Sequence, residues 1–230
     1  MKKRHLLRPL PLLVLLLIAA MAFLSGCSRA TGVKRAERTT TSMDEVEKQI
    51  RQTTEQINVT SASLRELTAS NQPDLKAKFQ EYSKNVEQMQ SVGQGAIRQI
   101  EQMQMRGQEY FREWAQEGKT YANPQIRQLS AERRAELTQT FAQISQAYAG
   151  VRGSLRTYMD NLQDIRTYLS NDLTPAGVQN VSPVAQKTLQ QGEQVQQSFQ
   201  PVLEAINRAR MQMAGGGMQQ QQQQQPPQRQ

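Results

Sequence analysis

The chain has 230 residues, a formal charge of +8, one cysteine and one histidine. A single cysteine excludes an internal disulfide framework, and the lone His5 lies in a segment that the sequence marks for removal. Histidine triads, Cys–His pairs and histidine metal sites are thereby excluded from the mature chain. Aromatic residues at 5% fit long, surface-rich helices better than a thick globular core.

Residues 1–27 form an address. Lys2, Lys3, Arg4 and Arg8 precede an apolar run from about Leu10 to Leu24, followed by small residues and Cys27. That is the layout of a secretory signal peptide. As a helix the run would span roughly 22 Å at about 1.5 Å per residue. A bilayer presents about 30 Å of hydrocarbon, and Pro11 weakens a continuous helix further.

The cleavage region Leu24-Ser25-Gly26-Cys27 closely resembles the bacterial lipobox. The resemblance implies a diacylglycerol thioether on Cys27, cleavage between Gly26 and Cys27, and acylation of the new amine by palmitate or a similar chain. Several acyl chains, at about 0.8 kcal/mol per buried methylene, hold a protein far better than one. The alternatives are a signal peptide with an accidental cysteine, or an uncleaved anchor. Ser28 stands where Asp usually marks inner-membrane retention. In a Gram-negative host it implies transfer to the outer membrane, facing the periplasm.

Cleavage removes four basic residues and leaves 24 Lys and Arg against 20 Asp and Glu, a net of +4. Arg29, Lys34, Arg35, Arg38 and Glu37 supply +3 of that. The high charge therefore says little about nucleic acid, which an exported protein rarely meets. Near an anionic surface each Lys or Arg of residues 27–41 would add about 1 kcal/mol. The alternative is a solvated linker.

The first helix is expected from Met43, where Met43, Val46, Ile50, Thr53, Ile57, Thr60, Leu64 and Leu67 alternate steps of three and four. This is a coiled-coil seam with two threonine layers. Ser42 and Glu45 have the spacing of a capping box, and Asn71-Gln72-Pro73-Asp74 carries turn chemistry. The second helix is predicted from about Leu75 to Glu117. Its seam runs Phe79, Tyr82, Val86, Met89, Gly93, Ala96, Ile100, Met103, Gly107, Tyr110, Trp114. Each glycine costs roughly 1 kcal/mol of helix propensity and lets a neighbour approach closely.

Gly118 to Leu129 reads as a connection, with Ser130 capping a third helix. Its seam is Leu137, Phe141, Ile144, Tyr148, Val151, Leu155, Tyr158, Leu162, Ile165, Leu169. A loop around Asn171 to Val181 follows, and Ser182-Pro183 resembles a cap and first turn. Val195, Phe199, Val202, Ile206, Ala209 and Met213 form a fourth stripe, with a kink or break expected at Pro201. Residues 214–230 are glycine- and glutamine-rich and read as a disordered tail.

The expected fold is therefore all-α: an elongated antiparallel bundle or coiled coil of four helices over residues 42–213. Helices two and three, at about 40 residues and roughly 60 Å, should protrude as a hairpin beyond helices one and four. The protruding end carries Tyr110, Phe111, Trp114 and Tyr121. Trp and Tyr suit membrane interfaces and binding hot spots. Tyr110 and Trp114 fall on the seam, where they would pack the core, so Phe111 is the better candidate for exposure. Met103, Met105, Met211, Met213 and Met218 are expected as filler rather than a soft-metal site, since helical residues two apart face differently. Glu101, Glu109, Glu113 and Glu117 read as a solvated face. No metal, cofactor or catalytic set is expected.

The body resembles a family of bacterial helical lipoproteins known only as a domain of unknown function. The likeness runs from about Gly32 to Met213. It rests on Val33-Lys34-Arg35-Ala36-Glu37, Leu75-Lys76-Ala77-Lys78-Phe79, Phe111-Arg112-Glu113-Trp114 with the Tyr121 loop, and Thr167-Tyr168-Leu169-Ser170-Asn171-Asp172-Leu173. It implies export, a lipid anchor and a helical body, and carries no activity over. The functional expectation is a non-enzymatic envelope component that binds a protein or cell-wall partner. The alternative is a module that binds or remodels the membrane through the aromatic tip and basic linker. The stripes could close within one chain or pair as a homo-oligomer.

Overall fold

A computed structural model describes residues 32–69 and 74–223, with side chains as far as Ala214. The expected signal peptide, the expected cleavage and lipidation site at Gly26 and Cys27, the expected turn over residues 71–73 and residues 224–230 lie outside the described residues. Four helices make up the body: α1 (Gly32–Thr68), α2 (Leu75–Gly118), α3 (Pro124–Asn171) and α4 (Pro175–Gln223). Among the described residues there is no strand. Short connections turn each helix back along the one before it. α1 packs on α2 and α4, and α3 packs on the same two. The helices therefore stand at the corners of a square, the all-α antiparallel bundle that the seams predict.

The seams form the core. The apolar positions of the α1 stripe from Met43 to Leu67 are buried, as is the whole α3 stripe from Leu137 to Leu169. Both threonine layers are buried and satisfied: Thr53 Oγ1 donates to Gln49 O at 2.8 Å and Thr60 Oγ1 to Gln56 O at 2.7 Å. The buried tyrosines each reach a partner across the core. Tyr82 donates to Leu162 O at 2.8 Å, Tyr148 to Ile97 O at 3.3 Å, and Tyr158 shares a hydrogen bond with Ser61 at 3.2 Å. A phenol buried without a partner would cost about 1–3 kcal/mol, so these bonds make large rings tolerable in the interior.

The seam glycines are sites of close approach. Gly107 faces the Phe141 ring, and Gly93 faces the Met159 side chain. Glutamines reach across the helix boundaries. Gln49 Nε2 donates to Val92 O at 3.2 Å, Gln56 Nε2 to Asn85 O at 3.3 Å, and Gln90 Nε2 to Met159 O at 2.9 Å. On the opposite side Arg210 ties α4 to α1, at 2.8 Å from Asp44 and 2.9 Å from Glu47.

Four boundaries differ from expectation. α1 begins at Gly32, about three turns before Met43, so residues 32–41 are helix instead of linker. Ser42 is not a cap; it is buried and its hydroxyl donates to Thr39 O at 2.7 Å. Glu45 reaches away from the helix start, to Gln99 at 2.7 Å and Arg106 at 3.2 Å on α2. α3 begins at Pro124, where Asn123 is the cap and its side chain accepts from Gln125 N at 2.8 Å. α4 begins at Pro175, and Ser182 donates back to Val178 O inside it. α4 passes Pro183 and Pro201 without a break and continues to Gln223, so residues 214–223 extend the helix. Both prolines lie on the exposed face, where a carbonyl left without its helical donor can be hydrated.

Candidate functional site

The start of α1, the end of α2 and the start of α3 meet at one end of the bundle. Arg35 fixes this junction. Its guanidinium is 7% exposed and grips Glu117 in a two-pronged contact, Nη1 to Oε1 at 2.6 Å and Nη2 to Oε2 at 2.5 Å. Its Nε lies 3.5 Å from Glu113 Oε2. Paired forks of this kind add geometric specificity as well as energy. The hydrogen bond to Glu117 raises the guanidinium pKa further above its ordinary value. Glu113 and Glu117, expected on a solvated face, are thus the counter-charges of a buried arginine. The grip also sets lengths at this end, because α1 accompanies α2 as far as Glu117.

The expected aromatic tip is here, turned largely inward. Tyr110 lies edge-on to Phe111, with centroids 5.0 Å apart, and to Trp114 at 5.7 Å. Phe111 meets Phe141 edge-on at 5.8 Å and packs against the core. It is therefore a flanking core residue, not the exposed one. Trp114 Nε1 donates to Ser130 Oγ at 2.9 Å, so Ser130 joins α3 to α2 and does not cap its helix. Burial pushes the Tyr110 phenol up, opposed by Arg35 and Arg133. Tyr121 is half-exposed in the connection, and its carbonyl accepts from Arg127 Nη2 at 2.8 Å.

A polar groove of about 750 Å³ runs between α1 and α2 beside this junction. Lys34, Arg35, Arg38 and Arg106 line it with Glu37, Glu45, Glu109, Glu113 and Tyr110. Charges of both signs line it, a surface that suits polar or zwitterionic groups better than an apolar ligand. No group of three His, Cys, Asp or Glu is placed to hold a metal ion among the described residues. Met103 is buried while Met105 is 61% exposed, so the two point apart as their spacing requires. No described helix is long and apolar enough to cross a membrane.

Two features of this end escaped the sequence reading. The first is Arg35. A signal was present, since Arg35, Thr39, Ser42 and Val46 continue the three-and-four spacing in polar residues, and the first three are buried with Val46. The second is the apolar face of the first α3 turns, where Ile126 is 47% and Leu129 61% exposed.

The geometry defines the protein class: an elongated four-helix bundle, closed around one core, with a charged and aromatic end. Within that class the chain has a family. The family described as protein of unknown function, DUF2959, matches residues 26–215, and the chain belongs to it. No curated protein and no solved structure matches the chain.

Proposed function

We propose that this protein is a non-enzymatic component of the bacterial cell envelope, lipid-anchored through Cys27 to the outer membrane, and that its rigid bundle binds a protein or cell-wall partner in the periplasm. The observation that carries the reading is the start of α1. Helix begins at Gly32, only five positions beyond Cys27, and Arg35 locks its first turn to the end of α2. Five residues span at most about 18 Å when fully extended. A lipid on Cys27 would thus hold one end of a stiff rod at the membrane and leave the grooved face beside it open to a partner. The Leu24-Ser25-Gly26-Cys27 box supports the anchor, and Ser28 supports the outer-membrane destination.

Metabolic labelling with an alkyne fatty acid tests the anchor. The wild-type chain should carry label and fractionate with the outer membrane, and Cys27→Ser should lose both. An unlabelled, soluble wild-type chain overturns the reading. Photocrosslinking from position 38 in the groove, with position 152 as control, tests partner binding. A discrete adduct unique to position 38 is expected, and adducts equal at both positions count against it.

A further inference from the structure

We propose that the anchor-side end of the bundle is a preformed foot for an anionic lipid surface, with Ile126 and Leu129 seated among the acyl chains near the headgroups and Lys119 and Arg127 on lipid phosphates. Residues 122–129 are all exposed, although six of them belong to a helix in a packed bundle. Ile126 and Leu129 are three apart, so they share one face of α3. Between Glu117 and Glu132 the chain carries two charges, Lys119 and Arg127, and both are basic. An apolar pair flanked in sequence by two cations, with no carboxylate between Glu117 and Glu132, complements an anionic headgroup layer.

The surface is held ready. Asn123 caps α3, Pro124 fixes its first turn, Arg127 clasps the Tyr121 carbonyl, and Trp114 is pinned to Ser130. Little ordering remains to oppose binding. Position points to lipid over protein as the occupant. Arg35 on Glu117 places the start of α1 at this same end, and Gly32 is five positions beyond Cys27. At the opposite end carboxylates stand among the cations: Glu66, Asp74, Glu81 and Asp172 lie there with Arg65, Lys76 and Lys78. The foot deepens the lipid-anchored reading and relies on it only for which end faces the membrane.

The test uses the full chain reconstituted with vesicles of phosphatidylglycerol and phosphatidylcholine, or of phosphatidylcholine alone. A spin label goes on Leu129→Cys, with Val59→Cys and Val184→Cys as controls on exposed sites along the rod. In anionic vesicles the label at position 129 should be relaxed by oxygen and shielded from a water-soluble nickel complex. Positions 59 and 184 should stay open to nickel. Adding Lys119→Ala with Arg127→Ala should lower the immersed fraction at position 129 on the order of tenfold or more, and Ile126→Ser should return the label toward water. The proposal is overturned if position 129 stays in water, or is as deeply immersed in pure phosphatidylcholine. Shielding from both agents would mean that a second copy or another protein covers the foot, and immersion of positions 59 and 184 would mean that the rod lies on its side. A wild-type chain that takes the label at Cys27 refutes the lipid anchor instead, and leaves the measurement at position 129 standing.

Discussion

Replacing Gly107 by alanine sets helix propensity against packing in a single methyl group. In an open helix the change gains about 1 kcal/mol. Here a Cβ on Gly107 would stand 2.9 Å from Phe141 Cε2 and closer still to Cζ and Cε1. The Phe141 ring is 6% exposed and held edge-on by Phe111, so it has little room to withdraw. Forcing an extra methyl into such a core costs about 1–3 kcal/mol. Gly107→Ala should therefore lie between neutral and a loss of about 2 kcal/mol once the propensity gain is subtracted. Gly150 is the control, because a Cβ there meets nothing within 4 Å. Gly150→Ala should stabilise by nearly the full propensity difference. The two variants should differ by about 1–3 kcal/mol, which at 2–4 °C per kcal/mol separates their melting temperatures by roughly 2–12 °C. Gly93→Ala should fall between them, since its main obstacle is the flexible Met159 side chain. Urea and thermal unfolding followed by circular dichroism at 222 nm give the ranking. If Gly107→Ala stabilises as much as Gly150→Ala, the close approach at Phe141 carries no energy and the reasoning fails.

Arg35→Ala should cost about 1 kcal/mol, because Glu117 is partly exposed and water can take over its carboxylate. Hydrogen exchange should quicken over residues 33–41 while the α3 core keeps its protection; unchanged exchange would show that the first turns hold without the clamp. Burial pushes the phenols of Tyr148 and Tyr158 up to about 12, and that of Tyr82 higher still. Unfolded tyrosine ionises near pH 10, so the contribution of these rings to stability should be constant below that value. It should fall as pH rises through about 12, by up to roughly 1.4 kcal/mol per pH unit for each ring; urea midpoints that stay flat from pH 9 to 12 would contradict this. The hydrogen bond from Arg210 holds the Glu47 carboxyl below its ordinary range. Its contribution is present above the unfolded value and is lost as pH falls through the folded one. Glu47→Gln should therefore flatten the acid limb of the stability curve, and parallel curves for variant and wild type would remove Glu47 from the account.

The helices were legible because burial follows the three-and-four spacing of apolar residues, and that spacing survives even where threonine or glycine occupies the seam. The misplaced boundaries share a cause. Ser42, Ser130 and Ser182 each sit before a sequence that resembles a helix start, yet a serine hydroxyl is equally satisfied by a carbonyl one turn back or by an indole N–H. Only the tertiary surroundings decide between these partners. Phe111 lies off the strict seam yet packs inward, because Gly107 one turn earlier lets the Phe141 ring approach α2 and Phe111 meets that ring edge-on. Arg35 illustrates the reverse difficulty. Its place in the register was visible, but a charge enters an interior only when a distant counter-charge meets it, and Glu117 lies 82 residues away.

The glutamine bonds to neighbouring backbones give the bundle a mechanical character. Hydrophobic stripes alone allow one helix to slide along another, since apolar contact is lost and regained smoothly. Gln49, Gln56 and Gln90 instead grip individual carbonyls of the adjoining helix, and Gln196 grips Thr54 O from α4 at 3.4 Å. A shear along the axis must break these pins together, and the seams next fit after a slip of one heptad, about 10 Å. Under tension the bundle should therefore hold its length up to a threshold force and then yield in one step, as a bolted joint does and a greased one does not.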